Sequence, residues 1–383
     1  WYPVGGFEDT YIVTDPLDDR WVYSQGWYQV LRRYDRETGQ VSVVYTPSTQ
    51  DRFVYAPPLA FSPQDPHTLY MGAQYVMASS DNARTWRHIS PELTQKAIET
   101  LAPSPVQGGV IWTGANDGVI QVTRDGGATW TNVTPADMVK SPLGPDVVVI
   151  DASHHAAGVA YAAVNAFPDP RPYIYRTGDF GAHWGLIVNG LPTDVAVTSV
   201  REDPVDSNLV YAATLMGAWV SFDRGDHWQS LQLNLPNTVV SDLTVHENDL
   251  AISTYGRAFW ILDDLTPLRQ VRAAMAARAY LFQPELAYRM RWDNIEDTPL
   301  PPEVPAGENP PEGAILDYYL KSAANGTVTL SVFDGQGQLI QRLSSDAPPP
   351  DTVKPNIAAY WLATPTVLAT TAGMHRVAWD LRY

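Results

Sequence analysis

Apolar residues in this chain fall in short runs that alternate with polar positions and are broken every few residues by Gly, Asp, Pro or Asn. Trp21-Val22-Tyr23, Val30-Leu31-Arg32-Arg33-Tyr34 and Ala258-Phe259-Trp260-Ile261-Leu262 are strand-like stretches of this kind. The Val/Tyr/Trp enrichment and the turn residues between runs exclude a helical repeat. Only near the C-terminal third does the pattern change. Thr266-Pro267 signals a helix start, with Thr as N-cap and Pro at the first helical position, and Leu268 to Ala277 is rich in Ala and Arg.

The runs recur at a fixed interval. A turn, often containing Pro, precedes a strand bearing an aromatic: Asp15-Pro16 to Tyr23, Asp65-Pro66 to Tyr70, Ser104-Pro105 to Trp112, Ser153-His154 to Tyr161 and Asp203-Pro204 to Tyr211. Those aromatics stand 47, 42, 49 and 50 residues apart. A sixth unit runs from Leu243-Thr244-Val245 through Ile252-Ser253 to Leu262. About four short strands per unit at this period predict an all-β, multi-bladed β-propeller over residues 1–264, with about six blade units.

Inside this period lies a sharper signal, an eight-residue box of the form S/T-x-D-x-G-x-T/H-W. It occurs as Ser79 to Trp86 around Asp81, Thr123 to Trp130 around Asp125, Thr177 to Trp184 around Asp179, and Ser221 to Trp228 around Asp223. The first copy has Ala83 where the others have Gly, and the first and sixth units lack the box. The Asp is suited to accept turn N–H groups, the Gly to adopt positive φ, the Ser or Thr hydroxyl to bond locally, and the Trp to pack between sheets. The box therefore reads as a hairpin staple, with Asp81, Trp86, Asp125, Trp130, Asp179, Trp184, Asp223 and Trp228 structural and not catalytic.

These boxes resemble the Asp-box (BNR) repeats of sialidases, xyloglucanase-type glycoside hydrolases and the sortilin propeller. The segment Gly256-Arg257-Ala258-Phe259-Trp260-Ile261-Leu262-Asp263-Asp264 is similar to the G-R-x-F-W-I-L-D-D run of large secreted bacterial BNR-repeat proteins of the glycosyl-hydrolase-like and sortilin-like kind. The resemblance implies a secreted or cell-surface protein, with a periplasmic location as the other option, preceded by further blades. The opening Trp1-Tyr2-Pro3, without Met, agrees with a segment of something longer.

Residues 265–313 are expected to form the helix and a Pro-rich linker, with six prolines between Pro299 and Pro311. Residues 314–383 follow as strands: Ile315 to Leu320, the alternation of Val328, Leu330 and Val332 turning at Asp334-Gly335 into Leu339-Ile340, and Gly373 to Asp380. Their V-T-L-S-V-x-D and G-x-H-x-x-x-W-D pattern looks like an Ig-like module of secreted bacterial proteins. An Ig sandwich needs about seven strands, so later residues are expected to complete it.

Charge and composition narrow the function. Lys+Arg 25 against Asp+Glu 42 gives a net charge of −17, which disfavours nucleic acid and anionic lipid as partners. With no cysteine there is no disulfide, thiolate metal site or cysteine nucleophile. No 18-residue apolar run, EF-hand loop or zinc spacing occurs, so neither membrane insertion, metal nor cofactor is expected. His154 and His155 are adjacent and so expected to point to opposite faces of a strand, and His183 and His227 belong to boxes. Asn132-Val133-Thr134 and Asn325-Gly326-Thr327 match glycosylation sequons.

Two functions remain. One is a propeller that binds a polysaccharide or protein, or serves as an extracellular scaffold within a larger cell-surface assembly. The other is a glycoside hydrolase, which needs two carboxylates across a cleft; the sialidase F/Y-R-I-P motif is absent. Carboxylates near the starts of blade-opening strands, Glu8, Asp9, Glu99 and Asp242, are the catalytic candidates, among neighbours Tyr55, Thr198 and Arg201. Trp1, Tyr2, Trp27 and Tyr28 are candidate sugar-stacking platforms. The boxes are expected at the opposite end of the sheets.

Overall fold

The computed structural model describes residues 11–25, 27–289, 310–311, 313–346 and 366–382. The chain divides into two compact units: Trp1–Val245 with Ala251–Ile261, and His246–Leu250 with Leu262–Tyr383.

Among the described residues up to Leu262, six antiparallel sheets follow one another in sequence order, each strand pairing with the next in the chain. Sheet 1 holds β1 (Ile12–Thr14), β2 (Trp21–Gln25), β3 (Leu31–Asp35) and β4 (Val41–Tyr45). Sheet 2 holds β5 (Leu59–Phe61), β6 (Leu69–Gly72), β7 (Val76–Ser79) and β8 (Arg87–His88). Sheet 3 holds β9 (Ile98–Pro103), β10 (Ile111–Ala115), β11 (Ile120–Thr123) and β12 (Thr131–Asn132). Sheet 4 holds β13 (Asp146–Ala152), β14 (Ala160–Asn165), β15 (Ile174–Thr177) and β16 (Trp184–Leu186). Sheet 5 holds β17 (Val197–Glu202), β18 (Val210–Thr214), β19 (Gly217–Ser221) and β20 (Gln229–Ser230). Sheet 6 has three strands, β21 (Val240–His246), β22 (Asp249–Thr254) and β23 (Phe259–Leu262).

First strands of consecutive sheets are neighbours: β1 meets β5, β5 meets β9, β9 meets β13 and β13 meets β17. The apolar cores lie between sheets. One joins Trp112, Ile120 and Val122 of sheet 3 to Val147, Ala162 and Tyr175 of sheet 4. Another joins Tyr161 and Ile174 of sheet 4 to Val200, Val210 and Ala212 of sheet 5. The periodic aromatics of the second strands are the keystones: Tyr23, Trp112, Tyr161 and Tyr211 are fully buried. Each contributes about 2–3 kcal/mol.

Every box occupies the turn between third and fourth strands, four times at the same place. In each, the Asp accepts from the Ser or Thr two residues before it and from the backbone and side chain of the residue four after it. For Asp125 these distances are 2.8 Å from Thr123, and 2.8 and 2.6 Å from Thr129. In the third and fourth boxes His183 and His227 take the Thr role, with Nδ1 2.7 Å from the carboxylate. Positive φ occurs at two positions, the expected one and the one before it: Asn82, Gly126, Phe180 and Arg224 share it with Ala83, Gly127, Gly181 and Gly225.

The box Trp also joins sheets. The Trp130, Trp184 and Trp228 indoles donate to the Ile89, Val133 and Ile187 carbonyls, at 3.1, 2.7 and 2.8 Å. Each acceptor stands three residues beyond the Trp of the preceding box. The same acceptor residue fills the space beside the box Gly: a Cβ on Gly127 would lie 2.2 Å from the Ile89 oxygen, and on Gly181 2.5 Å from Val133 Cβ. Sheet 1 has no box to supply such a residue. Ala83 therefore fits, and the buried Trp86 Nε1 has no partner among the described residues.

In the second unit the helix α1 spans Thr266–Ala276, with Leu265 and not Thr266 at the N-cap. The Asp264 carboxylate does the capping, accepting from the Thr266 N–H at 3.0 Å and its hydroxyl at 2.5 Å. A sheet of β24 (Ala279–Leu281), β25 (Ala314–Leu320) and β28 (Gly373–Trp379) and a hairpin of β26 (Thr329–Phe333) and β27 (Leu339–Ser344) share one core around Leu316, Tyr318, Leu330 and Leu343. Buried Asp317 is held across β25 and β28 by a two-pronged Arg376 guanidinium, at 2.9 and 2.8 Å.

Candidate functional site

The connection into each sheet enters at the end opposite its third turn, so the first strands begin at the end away from the boxes. Glu99 is the second residue of β9, Asp146 the first of β13, and Asp242 the third of β21. Glu99 and Asp146, from adjacent sheets, are close enough to sense each other. Burial and then the Asp146 charge push Glu99 up to about 7. Burial pushes Asp146 up to about 6, opposed by Lys96 and reinforced by Asp117. One Asp146 oxygen, Oδ1, is buried without a hydrogen-bond partner among the described residues. These are groups that hold and release a proton near neutrality.

A second cluster joins sheets 4, 5 and 6. Asp242 accepts from Ser199 Oγ at 2.6 Å and from the Arg201 guanidinium at 3.1 Å. Thr198 Oγ1 donates to the Val240 carbonyl at 2.6 Å. Asp151 accepts from the Glu202 N–H at 2.8 Å; burial raises its pKa while Arg201 opposes the rise. Buried Glu202 in turn accepts from Ser153 Oγ at 2.6 Å and the His154 N–H at 2.8 Å. Asp242 is thus a clasp between sheets 5 and 6. Tyr11, just before β1, links the clusters: burial raises its phenol to about 12, Arg201 opposing and Asp242 and Glu99 adding to the rise.

Several sequence candidates are placed differently. Trp1, Tyr2, Glu8 and Asp9 lie outside the described residues, as does the side chain of Trp27. Tyr28 and Tyr55 are exposed. His154 and His155 lie in the turn after β13, not on a strand, and His155 Nε2 is 2.9 Å from the Asp203 carbonyl. Asn132 spends its oxygen on Thr134, at 3.0 and 2.8 Å. No group of three His, Cys, Asp or Glu residues suited to a metal occurs among the described residues. Asp146 was missed although it opens a strand as Glu99 does; an acid directly before Val147-Val148-Val149-Ile150 was the available signal. Asp151 and Tyr11 carry no comparable mark.

At the box end, a cavity of about 610 Å³ lies between sheets 3 and 4, lined by Thr134, Asp137, Asp179, His183 and Trp184, with Arg124 stacked on Phe180 at 4.0 Å. Its Asp179 and His183 already satisfy each other.

Comparison with solved structures shows the fold. The GH74 xyloglucanase from Xanthomonas campestris superposes with a TM-score of 0.51 at 17% identity, covering 66% of this chain and 44% of that one. An ancestral GH74 enzyme gives 0.48 at 12%, covering 87% and 38%, and the extracellular domain of a hybrid two-component system from B. thetaiotaomicron gives 0.47 at 10%, covering 64% and 31%. The chain thus spans less than half the length of each. No family model and no curated protein matches it. The architecture is that of a β-propeller, the fold of the Xanthomonas xyloglucanase. No helix among the described residues is long and apolar enough to cross a membrane.

Proposed function

We propose that this chain is an extracellular or cell-surface β-propeller module of the Asp-box (BNR) type, spanning residues 1–264 in about six blades, that binds a glycan or protein ligand, or presents one as a scaffold, at the end away from the boxes. Residues 265–313 serve as helix and linker, and 314–383 as an Ig-like module. The observation that carries the binding reading is that Glu99 and Asp146 stand beside each other at the starts of adjacent first strands, away from the boxes, while the box carboxylates are satisfied within their own turns. Ligands of such folds are bound by sites grafted onto the fold, not by the fold's own staples.

A second reading has its own support. Glu99, poised near neutrality beside Asp146, has the acidity a glycosidase general acid needs. A panel of soluble polysaccharides, scored for binding and for reducing ends, separates the two. Saturable binding without reducing sugar is expected. Sustained release of reducing sugar that Glu99→Gln abolishes establishes the hydrolase instead.

A further inference from the structure

Exposed apolar side chains are distributed unevenly between the two ends of the sheets. Among the described residues of the first unit, eleven large apolar side chains from 40% to 82% exposed stand in turns and connections. Three are at the box end: Leu17, Val106 and Val205. The other eight are at the opposite end, in turns between second and third strands or in connections between sheets. Four are aromatic: Tyr28, Tyr55, Phe167 and Tyr255, from 66% to 82% exposed. Four are aliphatic: Leu143, Leu215, Met216 and Leu233.

The backbone reinforces the pattern. Tyr28 and Leu233 sit at φ 58 and φ 43, a left-handed conformation that bulky residues rarely adopt. Both are among the most exposed large apolar side chains of the described residues. Strain held in order to project an apolar group into water has no stabilising return within the unit, and strain of this kind gathers at functional surfaces.

Charge indicates what the surface receives. At this end Arg52 and Arg171 are paired with Glu92 and Asp169. Asp51, Glu99, Asp117, Asp146 and Asp194 then stand against Lys96, Lys140 and Arg257, an acidic balance. The aliphatic half of the apolar set offers no flat face for a pyranose. Tyr, Phe, Met and Leu side chains together match the core of a protein interface, with the acids placed to meet a basic rim.

We propose that the box-distal end of the first unit is a docking surface for a polypeptide presenting apolar side chains flanked by Lys and Arg. The proposal rests on the reading of this end as the binding end and names its partner class. The test uses the full chain and three labelled probes in fluorescence anisotropy: a 20-residue amphipathic Leu/Lys peptide, its Leu/Glu counterpart, and a neutral β-glucan. The expected result is binding of the Leu/Lys peptide, about tenfold or more weaker binding of Leu/Glu, and about tenfold loss for Met216→Ser with Leu233→Ser. Leu17→Ser with Val106→Ser, at the box end, is the control and leaves binding unchanged. No binding of the Leu/Lys peptide, or binding that both variant pairs leave unchanged, overturns the proposal. If only the β-glucan binds and only the box-distal pair weakens it, the partner class is wrong while the binding end stands; if no probe responds to that pair, both readings fall.

Discussion

Trp184 and Trp86 occupy the same position in two copies of one motif, and they differ in one interaction. Both are half-buried, and each packs edge-to-face on an aromatic: Trp184 on Trp112 at 6.1 Å, Trp86 on Tyr45 at 5.8 Å. The Trp184 indole donates to the Val133 carbonyl at 2.7 Å, whereas the Trp86 indole N–H is buried with no partner among the described residues. Replacing either by Phe removes the same atoms and costs about 1 kcal/mol of apolar burial. At Trp184 the change also strips the Val133 carbonyl of its donor, a further 1–3 kcal/mol or so. At Trp86 it removes an N–H already left unsatisfied, returning about 1 kcal/mol. Trp184→Phe should therefore lose about 2–4 kcal/mol and Trp86→Phe close to nothing. Urea unfolding followed by far-ultraviolet circular dichroism measures both. Equal losses, within about 0.5 kcal/mol, would refute the inter-sheet role assigned to the indole.

Asp125→Ala should lower the melting temperature by a few degrees while leaving binding at the box-distal end unchanged; lost binding at an unchanged melting temperature would make Asp125 a site residue. Gly127→Ala should cost about 3 kcal/mol or more, since φ is +99° and the new methyl meets the Ile89 oxygen at 2.2 Å, whereas Ala83→Gly should cost under about 1 kcal/mol. Calorimetry on the two variants compares them directly. Glu99, with its folded pKa raised to about 7, keeps a proton that the unfolded chain releases in the usual carboxylate range, so stability falls as pH rises between them. Glu99→Gln should match the parent at pH 4 and exceed it at pH 8 by up to about 3 kcal/mol; a variant that is no more stable at pH 8 refutes the shift. The carboxylates held low, Asp81 and Asp125 at about 2, act with the opposite sign and only below pH 4.

The β-architecture was legible because its period is written in large side chains. The aromatics of Tyr23, Trp112, Tyr161 and Tyr211 are the inter-sheet cores, and the box is a local turn whose donors and acceptors lie within eight residues. The indole-to-carbonyl bonds were not legible, because their partners lie 41 or 51 residues apart and one is a backbone oxygen. Thr266 looked like a helix cap on sequence, but Asp264 has the better acceptor and is folded back over the first turn. At the candidate site, Glu99 and Asp242 could be named from their positions near strand starts, whereas Arg201, expected beside them, stands fifth of six residues in β17, toward the box end. That Asp242 is clasped by Arg201 while Glu99 is left protonatable beside Asp146 depends on which sheets are neighbours, and no spacing encodes that.

The indole bond has a direction. Each boxed unit offers a donor toward the unit before it and an acceptor toward the unit after it, so a copied unit inserted in tandem arrives with both halves of its own join. A chain emerging from its N-terminal side likewise meets every acceptor before the donor that will use it: Ile89 before Trp130, Val133 before Trp184, Ile187 before Trp228. The sheets can therefore be locked one after another as they appear, each closing on a neighbour already in place. Trp86, whose donor faces a unit without a box, marks where that series starts.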